Sequence, residues 1–343
     1  MTVGFIIPQS SAIIQGGLKV QALETAKALQ ELGVTVHVIS PWDDLDTIPI
    51  DLFHVFGSGL ETIGIMTNLK RLGKHMVLSP VFFTRRSVST IKQARALDRI
   101  LGKLGSGIQS EYSIKTTCCN LADLVLPNTQ AEAQLIERGF GISSGTIQVV
   151  PNGVESRFAE ATPDLFLEQY NKQDFVLSVG QFSSPRKNAI TLLKAAPKFD
   201  AELVVIGSLG EGSHATQCRN LAEKAGNVTL IESLPHNSDM LASAYAAART
   251  FILPSWYETP GIAALEAALA NCSIAITRHG GTNDYFGSFA EYFDPHSAEE
   301  MIQAVNKAHK KETGDSLKTH ILSLFSWQAV ASQTLTHYKQ LTA

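Results

Sequence analysis

The chain has little that would send it outside the cell, across a bilayer or onto a metal. Its four cysteines, Cys118, Cys119, Cys218 and Cys272, form no CxxC pair and no metal-like cluster with histidine. Reduced thiols in the cytosol are the simplest account of that pattern. No run of about 18 uncharged apolar residues occurs, so no transmembrane helix is expected. The ten histidines fall at no metal-ligand spacing. The opening MTVGFIIPQS has neither a basic n-region nor a small-residue cleavage site, so it reads as a first strand rather than a signal peptide. Low-complexity tracts are missing too. What is there, 343 residues with 44% hydrophobic and 17% charged side chains, is a soluble globular composition long enough for two domains.

Short β-branched runs alternate with helical patterns. VGFIIP, VTVHVIS, DLFHVF, HMVLSP, ADLVLPN and TIQVVPN read as strands with amphipathic stretches between them. After a polar stretch at 153–173 the pattern restarts with DFVLSVG, AELVVIG, NVTLIES, RTFILPS and SIAIT. Such alternation is the mark of βαβ units, and its restart predicts two doubly wound α/β domains. The predicted domains are 1–160, with the last helix at 327–343 packing back on it, and 173–326. Ligands of open parallel sheets bind beyond the carboxyl ends of the strands, so the crevice between two such domains is the expected site.

Candidate residues follow strands. Gly16 and Gly17 open a helix after the first strand, where bare backbone and helix amides suit a phosphate; a tight turn explains them equally well. Arg186 and Lys187 precede a helix in SVGQFSSPRKNAITLLKAA, a place its dipole disfavours for cations. A diphosphate bridging them would supply the reason, and a solvated turn is the alternative. In PSWYETPGIAALEAALANCSIAIT, Thr259 reads as an N-cap, Pro260 as the first helical residue and Gly261 as room for a ligand. Glu266 then sits among Ala263, Ala264, Leu265, Ala267, Ala268 and Leu269. A carboxylate in so apolar a helix is either on a narrow exposed stripe or bound by something. Glu258 and Glu266, eight residues apart, would span about 12 Å of an idealised helix, too far for two carboxylates acting on one bond.

These stretches resemble family 4 retaining glycosyltransferases. LPSWYETPGIAALEAALANCSIAIT is similar to that family's E-x7-E signature, VGQFSSPRKN to its donor-phosphate loop, and QGGLKVQALETAKALQELGVTVHVIS to its Gly-Gly helix. ADLVLPNTQAEAQLIERG followed by IQVVPNGVE is similar to its interdomain region. The resemblance implies the GT-B fold, two Rossmann-like domains facing across a cleft, and transfer of a sugar, with retention and without a metal, from a UDP- or GDP-linked donor. The acceptor would be a glycan or a lipid-linked glycan. It further implies that Glu266 binds the ribose hydroxyls, that Glu258 binds the transferred sugar or the reacting centre, and that Lys187 neutralises the diphosphate with help from Gly16 and Gly17. Gln181 stands where the family usually has an arginine, which Arg186 would offset. A non-catalytic binding or partner subunit is the alternative that Gln181 raises, and another GT-B enzyme such as an epimerase would need a different carboxylate arrangement. His54, ending DLFHVF, loosely matches a family histidine and is otherwise a structural strand-end residue. Pro80 stands where the family often has a histidine. The Asp44-x-Asp46 pair reads as a solvated loop.

From Lys70 to Lys115 ten basic residues face two acidic ones, within a chain of net charge −4. Between Val88 and Leu104 the residues Lys92, Arg95, Arg99 and Lys103 recur at helical spacing opposite Val88, Ile91, Ala94, Ile100, Leu101 and Leu104. That is the pattern of an amphipathic helix with a cationic stripe, either a solvated face or a surface for anionic lipid. The expected location is cytoplasmic, with peripheral contact to the inner membrane face through 85–104; no nucleic-acid partner is expected.

Overall fold

The computed structural model describes every residue except 14–15, 46, 105–108 and 313. Asp46, half of the Asp44-x-Asp46 pair, therefore lies outside the described residues. The chain divides into two compact units, residues 1–153 with 327–343, and residues 154–326.

The first unit runs β1 (Thr2–Ile6), α1 (Gly17–Glu31), β2 (Thr35–Val38), β3 (Leu52–Phe56), α2 (Leu60–Arg71), β4 (Met76–Ser79), α3 (Val88–Lys103), α4 (Glu111–Leu121), β5 (Leu124–Val125) and α5 (Gln130–Gln134). Its sheet is wholly parallel in the order β2-β1-β3-β4-β5. Central strand β3 is buried at all five positions, His54 included, as a strand must be when helices cover both faces. Strand periodicity divides its side chains. Leu52 and Phe56 join Val3, Phe5 and Val77 against α1 and the C-terminal helix (Trp327–Thr342), while Phe53 and Val55 join Met76 and Leu78 against α2 and α4. TIQVVPN is not a strand of this sheet. It contributes one bridge, Val125 to Ile147, and two backbone bonds that end at Pro127, a residue with no N–H to extend a ladder.

The second unit runs α6 (Asp164–Tyr170), β6 (Phe175–Val179), α7 (Ala189–Ala195), β7 (Leu203–Ile206), α8 (Ser213–Ala225), β8 (Val228–Ile231), α9 (Asp239–Ala247), β9 (Ala248–Leu253), α10 (Ile262–Leu269), β10 (Ser273–Thr277), α11 (Thr282–Phe286), β11 (Glu291–Phe293), α12 (Ala298–Lys310) and α13 (Asp315–Phe325). Its parallel sheet has the order β11-β10-β9-β6-β7-β8, so the winding reverses between β6 and β9. A crevice opens at the carboxyl ends of strands at such a reversal. The stretch read as interdomain, 153–173, is mostly part of this unit. Phe158 and Phe166 are fully buried in its core, Phe158 edge-on to Tyr245 at 5.5 Å, and two buried phenylalanines outweigh the polar residues around them.

Candidate functional site

The loops after β6 and β9 meet at that reversal. The chain leaves β6 through Gly180 and Gln181, makes a single 3-10 turn over Pro185–Lys187, and enters α7 through Asn188. Asn188 ties the turn down: its amide donates to the carbonyls of Pro254 (3.0 Å) and Pro295 (2.7 Å). Trp256 N–H donates to the Arg186 carbonyl at 2.9 Å, and the Arg186 guanidinium donates to the Tyr257 carbonyl at 2.9 Å. So anchored, Lys187 places its ammonium 2.6 Å from Glu258 Oε1, with Arg186 at 3.5 Å from the same oxygen. Burial pushes the Glu258 carboxyl up, but Lys187 and then Arg186 outweigh it and hold the group below the usual glutamate range. The pair thus stabilises the fold fully above the ordinary glutamate pKa and is lost as pH falls through the depressed value. Two cations before a helix have their compensation in the free protein: a buried carboxylate. Gln181 is exposed at the mouth of this loop.

The sequence pattern puts Glu258 at the mouth of a helix capped by Thr259 and beginning at Pro260. The structure starts α10 at Ile262, with Gly261 rather than Thr259 as its N-cap. Gly261 has φ of +69°, and a Cβ there would come within 2.9 Å of Leu253, so its glycine serves the turn and the packing inside the protein rather than a ligand. Glu258 instead lies in extended chain against the turn after β10. Its N–H donates to the His279 carbonyl at 3.1 Å and its own carbonyl accepts from Gly281 N–H at 2.9 Å. The idealised helical span between the two glutamates therefore does not apply. Between these bonds sits Gly280, at φ of +102°, where a Cβ would fall 1.8 Å from the Glu258 carbonyl oxygen. Gly280→Ala is therefore expected to push Glu258 off Lys187, costing roughly 1 to 3 kcal/mol of stability. Chemical denaturation measures the cost, and unchanged stability with unchanged ligand affinity would show that the turn yields freely.

Glu266 is buried in α10 rather than on an exposed stripe, and both carboxylate oxygens are held. Tyr245 Oη of α9 donates to Oε2 at 2.7 Å, and His236 Nε2 lies 2.7 Å from Oε1. His236 is half-exposed and also faces Glu155, Nδ1 to Oε1 3.6 Å, with the Arg157 guanidinium on its carbonyl. The hydrogen bond to Glu266 raises the imidazole above its ordinary value; burial and Arg157 oppose this, and the charges of Glu266 and Glu155 add to it. A raised histidine stabilises fully below its ordinary pKa of 6.5 and loses that contribution as pH rises through the raised one. Titration of the His236 ring by NMR should show the upward shift, and Glu266→Gln should bring it down. A ring titrating identically in both proteins would mean the contact is absent in solution. Neither His236 nor Tyr245 was among the sequence candidates; both are remote from the signature, and nothing local marks them.

In the first unit, Gly16 is the extended N-cap of α1 and Gly17 its first residue, both exposed with open space where a Cβ of Gly16 would stand. His54 is enclosed in the core of the first unit. It lies in the middle of β3, on the face turned to the C-terminal helix, hydrogen-bonded to Tyr338 Oη and to Ser79 Oγ (2.9 Å) and stacked on Phe56. Burial pushes its pKa down to about 3, so it is a neutral core side chain. A cavity of about 610 Å³ does open beyond β1 and β2, lined by Ile6, Pro8, Ser10, Ser40, Glu61 and Thr62 among others. The Glu61 carboxylate accepts from Ser10 N–H at 3.1 Å, which lowers its pKa. The sequence reading also missed Glu132. This fully buried carboxylate accepts from the backbone N–H groups of Phe82 (2.5 Å) and Asn128 (2.8 Å), and burial raises it to about 7. Thr129 caps the same helix through Glu132 N–H, so TQAE is a capping-box pattern that could have found it.

The Lys187–Glu258 pair thus stands at the switch point of a doubly wound parallel sheet, the place where such sheets take their ligands. Residues 166–320, nearly all of the second unit, match the family model described as glycosyl transferases group 1. The chain is 24% identical to mannosylfructose-phosphate synthase of Agrobacterium fabrum over 66% of its own length and 54% of that relative. It spans about half the length of the curated relatives it matches. Over 99% of both chains it superposes on sucrose-phosphate synthase of Thermosynechococcus elongatus with TM-score 0.72 at 18% identity. The Anabaena protein Alr3699/HepE, solved in complex with UDP, superposes with TM-score 0.68 at 16% identity, over 99% of this chain and 98% of its own. The fold is that of GT-B glycosyltransferases.

Proposed function

We propose that this chain transfers a sugar, with retention, from a nucleotide-sugar donor to a glycan or lipid-linked acceptor. The observation that carries the proposal is the ionised Glu258 held 2.6 Å from Lys187 at the switch point of the second unit. There the donor's diphosphate competes with Glu258 for Lys187 and Arg186, two cations fixed in advance by backbone bonds. As the bond from sugar to phosphate breaks, negative charge grows on the leaving diphosphate, and cations already in place stabilise it without reorganisation. Glu258, released toward the crevice, meets hydroxyls of the transferred sugar. Glu266 keeps Tyr245 on one oxygen and offers its remaining lone pairs to the ribose hydroxyls, with half-exposed His236 giving way or sharing. In this reading the charge on the diphosphate is met by side chains and needs no metal. The donor is UDP- or GDP-linked; the UDP bound in the solved Anabaena relative supports the former. Arg186 supplies beside Glu258 the guanidinium that Gln181 lacks, which favours catalysis over the partner-subunit reading. The cavity beyond β1 and β2 takes the acceptor, with Glu61 and the hydroxyls of Ser10 and Ser40 meeting its hydroxyl groups.

A thermal-shift screen of nucleotide sugars in chelator tests this. A donor at a hundred times its Kd stabilises the native state by about 2.7 kcal/mol, a visible rise in melting temperature. Failure of every UDP- and GDP-sugar to shift a folded protein would reject the reading.

A further inference from the structure

The cationic helix is arranged differently from its sequence pattern. Of the apolar residues expected to share one face, Ile91 alone is fully buried, while Ile100 and Leu104 are 58% and 76% exposed, and Leu97, outside that set, is 56% exposed. Arg95, expected in the cationic stripe, turns to the Gly139 carbonyl at 2.7 Å. What remains outside is two adjacent rows: Lys92, Ala96, Arg99 and Lys103, and beside them Gln93, Leu97, Ile100 and Leu104, all exposed. Spacings of four, three and four put each row along one line of the helix surface. The helix's own acid, Asp98, accepts from Ser110 N–H (2.9 Å) and from the hydroxyls of Ser110 and Ser113, off the two exposed rows. Arg86, exposed in the bend before the helix, extends the positive end.

We propose that this face of α3 docks on an anionic lipid bilayer, with Leu97, Ile100 and Leu104 entering the acyl boundary and Lys92, Arg99 and Lys103 at the headgroup phosphates. A soluble polyanion would use the cations and leave the apolar row in water; a bilayer uses both rows at once. Charge complementarity selects the lipid: cations near an anionic surface each contribute attraction that salt screens. The inference stands whether or not the second unit transfers a sugar. If it does, docking through the first unit brings the protein to lipid-linked acceptors.

Flotation of the full chain with vesicles of equal parts phosphatidylcholine and phosphatidylglycerol, against phosphatidylcholine alone, tests the surface. Wild type should float with the anionic vesicles at low salt and be released at high salt. The variant Lys92→Gln, Arg99→Gln, Lys103→Gln should partition about a hundredfold less. The variant Leu97→Ser, Ile100→Ser, Leu104→Ser should partition roughly tenfold less or weaker still. All six residues are exposed, so both variants should keep wild-type circular dichroism. Wild type left unbound at low salt would overturn the proposal. So would an apolar-row variant that floats like wild type, which would make the face a polyanion site. A self-association lost in that variant without vesicle binding would assign the row to a second copy of the chain and overturn it too.

Discussion

Lys187→Ala is expected to lower turnover of the nucleotide-sugar donor by about two to three orders of magnitude, the loss seen when one preorganised charge-stabilising group is removed. In the free protein the Glu258 carboxylate is buried and has Lys187 at 2.6 Å and Arg186 at 3.5 Å. Taking away the nearer cation leaves Arg186 to serve both the carboxylate and the leaving group, so the transition state loses more than the ground state. The Glu258 pKa rises in the variant, because burial then dominates. The rate loss should therefore come with a shift of its acid limb to higher pH. Steady-state kinetics across pH would record both, and turnover within a few-fold of wild type would remove Lys187 from the chemistry. Stability must be measured alongside, since breaking a buried pair on one side costs about 3 to 5 kcal/mol.

Glu266→Ala is expected to weaken nucleotide binding by about 1.5 to 3 kcal/mol, from lost charge-assisted hydrogen bonds to the ribose. Because Tyr245 Oη would be left buried without its acceptor, Glu266→Gln is the better control: it keeps an acceptor for the hydroxyl and removes the charge. Calorimetric titration with the nucleoside diphosphate separates the cases. Unchanged affinity in a folded Glu266→Ala protein would show that Tyr245 and His236 are the whole reason for the buried charge.

Much of this was legible in the sequence because it depends on local pattern. Short strand-like runs such as LFHVF and FVLSV alternate with helical patterns, as parallel βαβ units require, and of the two readings left open for Glu266, an exposed stripe or a bound carboxylate, its burial selects the second. The signature also placed Lys187 and Glu258 after strands, and the order of the second sheet brings those two strands together. What the sequence hid depends on non-local contacts or on a single dihedral angle. Gly261 in the left-handed region delays α10 by two residues and sets Glu258 in extended chain against Gly280. Whether His54 was the family's histidine or a structural residue stayed open because the distant C-terminal helix that supplies Tyr338 is invisible from β3. On α3 the apolar period was real, but periodicity tells only that residues share a face. It cannot tell that Leu97 and Ile100 stand more than half exposed. Strand β11, three residues long, was too short to carry a pattern.

The most direct measurement is to incubate the full chain, in chelator, with the nucleotide sugar that stabilises it most, and to follow nucleoside diphosphate release and the anomeric configuration of the transferred or hydrolysed sugar by NMR. The account expects diphosphate release that needs Lys187, and a product keeping the donor's configuration. Intact donor in the presence of folded protein across the whole UDP- and GDP-sugar panel, or a product of inverted configuration, would contradict it.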